Sequence, residues 1–112
     1  MAFTEPELQA IHRALEPLCE SVPEHARDRV RIGYEVDGHS VVVFEEHSDW
    51  QDPGQWMRSP SAKLRYFRSR DEWRLYWMRA DLKWHSYEVP PARRLATLVR
   101  HVERDEYGCF FG

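Results

Sequence analysis

The sequence predicts an α+β domain: a helix, five mainly antiparallel strands and a second helix, with both helices on one face of the sheet. Three observations lead there. The apolar period changes from 3.6 to 2 and back to 3.6 along the chain. A tight-turn signal, Asp37-Gly38, joins two alternating runs. The connections between residues 62 and 89 are too short for anything but antiparallel neighbours. At 112 residues the chain is expected to form a single domain over residues 1–112.

Thr4-Glu5-Pro6-Glu7 reads as a capping box, with Thr4 as N-cap, Pro6 in the first turn and Glu7 reaching back to the cap amide. Leu8, Ile11, Leu15, Leu18 and Val22 follow at spacings of three and four and lay one apolar stripe toward a core. Pro17 is expected to bend or divide this helix near Glu16, and Pro23 to close it.

Val30, Ile32, Tyr34 and Val36 alternate with Arg29, Arg31, Gly33 and Glu35, as in a strand with one buried face. Asp37-Gly38 suits a type I′ turn, and Ser40–Glu45 returns as the partner strand of this hairpin. Residues 46–61 hold Pro53-Gly54 and Pro60 and show no period, so they read as one long loop. Trp50, Trp56 and Met57 make that loop apolar, and it is expected to fold back over the sheet.

A three-strand meander follows: Ala62–Ser69, Trp73–Arg79 and Trp84–Val89. Pro90-Pro91 ends the sheet. A second helix is predicted over Ala92–Asp105, with Leu95, Leu98, Val99 and Val102 inward. Gly108 offers a left-handed cap after it, and the Phe110-Phe111 tail is apolar enough to dock.

Composition narrows the class. Fifteen Trp, Tyr and Phe residues supply core material despite a charged fraction of 31%, which argues against disorder. No apolar run approaches the roughly 20 residues of a membrane helix, and MAFTEPEL has neither the basic nor the apolar region of a signal peptide. A soluble, cytoplasmic protein with no membrane partner is the expectation. Cys19 and Cys109 are too few and too far apart for a disulfide scaffold or a CxxC site.

The net charge of −3 conceals a division. Residues 1–57 carry four basic and twelve acidic side chains, residues 58–83 carry eight and three, and the remainder balances at four and four. Such a division makes either a basic patch or two elements that attract one another inside the fold.

Three segments carry a resemblance: RIGYEVDGHSVVVFEE (31–46), KLRYFRSRDEWRLYWMRADLKWHSYE (63–88) and DEYGCFFG (105–112). Together they resemble the bacterial family known as domain of unknown function 3024, over nearly the whole chain. One departure is visible: the turn before Lys83 commonly reads Asp-Gly in that family, and here it is Asp81-Leu82. The resemblance implies no activity, cofactor or catalytic residue.

Within the meander, alternation places Leu64, Tyr66, Leu75 and Trp77 on one face. Lys63, Arg65, Phe67, Arg74, Tyr76 and Met78 fall on the other. The second set, with Arg29 and Arg31 beside it, is a basic face interleaved with aromatic rings. Such a surface stacks bases while cations neutralise phosphate, so a nucleic acid or other polyanion is the partner it suggests. The bland alternative is a solvated face with arginines lying over rings.

No sequence pattern points to a metal or a cofactor. His85, His101 and Cys109 lack HxxxH or CxxC spacing, and there is no GxSxG elbow, Gly-rich phosphate loop or Rossmann fingerprint. Asp81-Leu82-Lys83 sits at a turn, unlike a nuclease acid–x–Lys strand.

The sequence thus points to a non-enzymatic binding domain that uses Arg29, Arg31, Arg65, Phe67, Arg74 and Tyr76. The competing hypotheses are a small enzyme with Glu45, His47 or His85 as acid–base groups under the 46–61 loop, and a homodimer formed through the aromatic loop and tail.

Overall fold

The computed structural model describes residues 2–52 and 54–111. Helix α1 (Glu5–Cys19) is followed by strands β1 (Val30–Asp37), β2 (Ser40–Ser48), β3 (Trp56–Phe67), β4 (Glu72–Met78) and β5 (Trp84–Ser86), then helix α2 (Leu95–Arg104). The strands lie in the order β1-β2-β3-β4-β5, every pair antiparallel. Both helices cover one face, as the apolar patterns require. Ile11, Leu15 and Leu18 of α1 join Leu98, Val99 and Val102 of α2 over Val41, Val43, Ala62, Leu64 and Leu75 of the sheet.

α1 starts with the predicted capping box. The Thr4 amide donates to Glu7 Oε1 (2.8 Å) and the Glu7 amide to Thr4 Oγ1 (3.3 Å). Pro17 does not divide the helix, which runs unbroken to Cys19. The proline removes one amide near the end of the helix, while Leu15 and Leu18, 0% and 1% exposed, hold both sides of it to the core. The helix ends before Pro23, where Ser21 bonds the Leu18 carbonyl through its amide and its hydroxyl.

Asp37 pairs with Ser40, so the hairpin turn is Gly38-His39 and not Asp37-Gly38. Gly38 alone of the two has positive φ (58°). That is the signature of a type II′ turn, which needs one left-handed residue where type I′ needs two.

The predicted 46–61 loop is mostly strand. β2 extends to Ser48, β3 begins at Trp56, and Ser48 pairs with Trp56. Pro60 misled the sequence expectation because proline normally ends central strands. Here the register shifts at Val43/Phe44: Val43 faces Ala62 and Phe44 faces Pro60, leaving Ser61 as the extra residue of a bulge. A bulge interrupts ladder bonding, so the missing Pro60 amide is tolerated beside it. The short connection that remains is closed by the Asp49 amide on the Gln55 carbonyl (2.9 Å) and the Gln55 amide on the Asp52 carbonyl (2.9 Å). It does not fold over the sheet, since Trp50 is 85% exposed. Pro53, half of the expected Pro-Gly turn, lies outside the described residues.

β5 stops at Ser86, before the expected Val89, and α2 starts at Leu95 instead of Ala92. The chain bends after β5, where the Val89 amide bonds the Tyr87 carbonyl (2.8 Å), and Ala92 then exchanges two backbone bonds with Trp73 (2.6 and 3.0 Å), which keeps it out of α2. α2 is capped by Asp105 (φ 43°) and not by Gly108. The Asp105 carboxylate accepts from the Phe110 and Phe111 amides (2.9 and 2.8 Å), which docks the tail and leaves Phe110 7% exposed against Tyr87.

The chain start is tied to the β3–β4 connection. Arg68 donates to both Glu7 oxygens (3.0 and 3.1 Å) and to the Ala2 carbonyl (2.6 Å), and Phe3 stacks on Trp73 at 5.7 Å. The Arg68 hydrogen bonds, helped by the Thr4 amide, hold the Glu7 carboxyl at about 2, below its ordinary 4.5. A depressed carboxyl stabilises the fold fully above its ordinary pKa and loses that contribution as pH falls toward the lowered one. Glu7→Gln keeps a capping-box side chain but no charge. Urea unfolding should therefore show wild type more stable than Glu7→Gln at about pH 6, with the gap closing by about pH 2. A gap independent of pH would contradict the clamp.

The β4–β5 turn keeps a glycine geometry without glycine. Leu82 has φ 63° and is 78% exposed, so its left-handed backbone is strained and its side chain packs on little. Leu82→Gly should raise stability by about 1 kcal/mol, read as a rise of a few degrees in the thermal midpoint. A fall would show that the side chain contributes more than the strain costs.

Candidate functional site

With both helices on one face, the side chains alternating away from them form an open second face. The register arranges these in cross-strand rows. Arg31, Glu46 and Arg58 make the row at one end, and Gly33, Phe44 and Pro60 the next. Glu35, Val42, Lys63 and Tyr76 follow, then Asp37, Ser40, Arg65 and Arg74, with Phe67 and Glu72 beyond.

Arginines cover the rings of this face. Arg31 lies 3.8 Å over Trp56 and Arg58 3.7 Å over Phe44. The Arg65 and Arg74 guanidinium carbons lie 5.1 and 4.6 Å from the Phe67 centroid. Each contact stabilises by about 0.5–1 kcal/mol at exposed positions. Phe44 has the Gly33 backbone on its other side: a Cβ at residue 33 would sit 2.8 Å from its ring and force the ring to shift.

Charge divides the face into two ends. At the first, Arg58 pairs with Glu35 and Glu46, joining the acidic first half of the chain to the basic middle. At the second, Arg74 donates to Glu72 (2.7 Å), while Lys63 and Arg65 make no ion pair among the described residues. The cations without an ion pair at this end are therefore Lys63 and Arg65, next to Phe67 and the half-buried Tyr76, with Asp37 in the same cross-strand row as Arg65.

The sequence-predicted patch is thereby split. Arg65, Phe67, Arg74 and Tyr76 are brought together. Arg31 is six residues along β1 from the row containing Arg65 and Arg74, a distance of about 20 Å. Arg29 precedes the strand, with its side chain beside Asp28 at 3.8 Å. Arg58 and Trp56 belong to the face and were missed because Pro60 hid the alternation of 56–59, and Phe44 was missed because its run SVVVFE is apolar on both faces.

The acid–base residues do not converge. Glu45 and His47 are hydrogen-bonded to each other on β2, whereas His85 is on β5 with β3 and β4 between them. His85 instead bonds Asp81 (2.8 Å), and that bond, with the Lys83 amide, lowers the Asp81 pKa. His85 and Cys109 line one cleft of about 540 Å³ with Trp77, Arg79 and Tyr107; His101 on α2 is not among its lining residues. Burial raises the Cys109 thiol pKa and, with Glu20 and Glu16 nearby, that of Cys19, so both are held as thiols. Among the described residues no three His, Cys, Asp or Glu side chains are placed to share a metal ion.

A second cleft, of about 360 Å³, opens between the start of α1 and the start of α2. Phe3, Tyr66 and Trp73 form its apolar wall and Arg93 and Arg94 its rim. Tyr66 donates to Asp71 Oδ1 (2.7 Å), a bond that raises the phenol pKa. Three separate segments build this cleft, so no local motif announces it.

No helix among the described residues is long and apolar enough to cross a membrane. No curated protein and no solved structure matches the chain. Residues 3–112 match the family model described as Domain of unknown function (DUF3024), and the chain belongs to that family.

Proposed function

We propose that the helix-free face is a binding surface for single-stranded nucleic acid, centred on Lys63, Arg65, Phe67, Arg74 and Tyr76. The observation that carries this reading is the Arg65–Phe67–Arg74 group, a ring flanked by two guanidinium groups in adjacent strands. Lys63 and Tyr76 sit opposite each other in the next row. Rings on an open sheet offer platforms for unstacked bases, and nearby cations track the phosphates. Duplex bases are already stacked on one another, so the rings favour the single strand.

The acidic surroundings set the strength. A chain of net charge −3 attracts a polyanion only locally, and salt opposes that attraction sharply. An acid–base enzyme using Glu45, His47 and His85 is the competing reading. The two strands separating Glu45 and His47 from His85 give those groups no common substrate position.

Fluorescence anisotropy with single-stranded and duplex oligonucleotides tests the reading. Single strands should bind more tightly than duplex at low salt. Three engaged cations should give a slope of log K against log salt of about −2. Arg65→Glu with Arg74→Glu should abolish binding, and Phe67→Ala should weaken it by about 1–3 kcal/mol through lost stacking. No binding at low salt, or binding indifferent to the double reversal, would overturn the proposal.

A further inference from the structure

The two edges of the sheet are unlike. β5 is a three-residue strand, and the Ala92 bridge covers part of β4 beyond it. β1 is an eight-residue edge with regular register, no proline and no bulge. Asp37 and Ser40 flank a two-residue turn and so form a hydrogen-bonded pair, which fixes the phase of the ladder. Arg31, Gly33, Glu35 and Asp37 point their backbone groups at β2, and the Ser48 amide on the Arg29 carbonyl (2.9 Å) keeps that phase. Val30, Ile32, Tyr34 and Val36 must then point their amides and carbonyls outward. Among the described residues no hydrogen-bonding partner meets them. Such an edge is a template for another strand.

The side chains of β1 specify which strand. If a second β1 runs antiparallel about a twofold axis through Gly33, Ile32 faces the partner's Tyr34 and Val30 faces the partner's Val36. Arg31, whose guanidinium lies over Trp56 in the single chain, then turns toward the partner's Glu35, and Glu35 meets the partner's Arg31. The outward-pointing residues become the hydrogen-bonded pairs. Arg31 and Glu35 fall in the non-hydrogen-bonded pairs, where opposite side chains approach most closely. Glu35 already accepts from Arg58 through Oε1, and its other oxygen is available to a second cation. On the helix side the register covers Val36, which is 41% exposed in the single chain. At the axis Gly33 has no side chain to obstruct the approach.

We propose that β1 is a homodimer interface: two copies pair edge to edge through Val30–Val36, making one continuous sheet with all four helices on the same side. The interface is isologous, as twofold assembly requires, because each subunit supplies both members of the Arg31–Glu35 pair. It is independent of the nucleic-acid reading, which concerns the sheet face and not its edge.

Charge reversal tests the register. Light scattering of the wild-type protein at micromolar concentration should report twice the chain mass of 13.5 kDa. Arg31→Glu or Glu35→Arg alone sets like charges opposite at two symmetric places and should weaken self-association about tenfold or more. An equimolar mixture of those two variants should regain the dimer, because the heterodimer is complementary at both places. That recovery also shows that neither variant is misfolded. In the wild-type dimer the amides of Ile32 and Tyr34 should resist hydrogen exchange despite their position at the sheet edge. A wild-type mass of 13.5 kDa, a dimer indifferent to both reversals, or rapid exchange at Ile32 and Tyr34 would overturn the proposal.

Discussion

Two helices of 15 and 10 residues can cover one side of a five-stranded sheet, and that constraint governs this molecule. Inward positions of β2, β3 and β4 become the core, with Val41, Val43, Ala62 and Leu64 at 0% exposure. Apolar burial there drives folding at about 25 cal/mol per Å² removed from water. The opposite face has no covering layer and must be stable in water with its own side chains.

Guanidinium groups meet that requirement. Arginine places a weakly hydrated, flat cation on an aromatic face while its polar edge stays wet. Trp56, Phe44 and Phe67 are covered in this way. The same arrangement stabilises the face and is the one the proposed function would use, with a base replacing a guanidinium on a ring and a phosphate receiving the displaced charge. Where carboxylates interleave, around Arg58, the charges are already matched. At the Lys63 and Arg65 end they are not.

The joints of the fold rest on polar contacts between distant segments. Asp71, Leu82 and Asp105 all adopt left-handed backbone without being glycine. At Asp71 and Asp105 the side chain compensates by accepting hydrogen bonds, from Tyr66 and from the tail amides respectively. Leu82 has no such role for its side chain, and its turn relies on backbone bonds and on the Asp81 carboxylate receiving the Lys83 amide. Arg68 links the β3–β4 connection to the first turn of α1, so the chain start closes the helix layer over Trp73.

Local sequence determined the element order through its periods, the antiparallel sheet through its short connections, the capping box through Thr4 and Glu7, and the side of the sheet on which Leu64, Tyr66, Leu75 and Trp77 lie. Alternation put Arg65 with Phe67 on one strand and Arg74 with Tyr76 on the next, and matching the apolar sides of the two strands put both pairs on one face. These are local consequences of backbone geometry and need no knowledge of distant contacts. Tertiary structure decided the rest. Pro60 lies inside a strand only because a bulge opposite Phe44 releases its amide from the ladder, and that partner is remote in sequence. The separation of Arg31 from Arg65, and of Glu45 from His85, follows from strand order and register. α2 begins late because Ala92 is held by Trp73. Each of these depends on which segments meet across the sheet, and pairing between remote segments is the property that a local pattern does not encode.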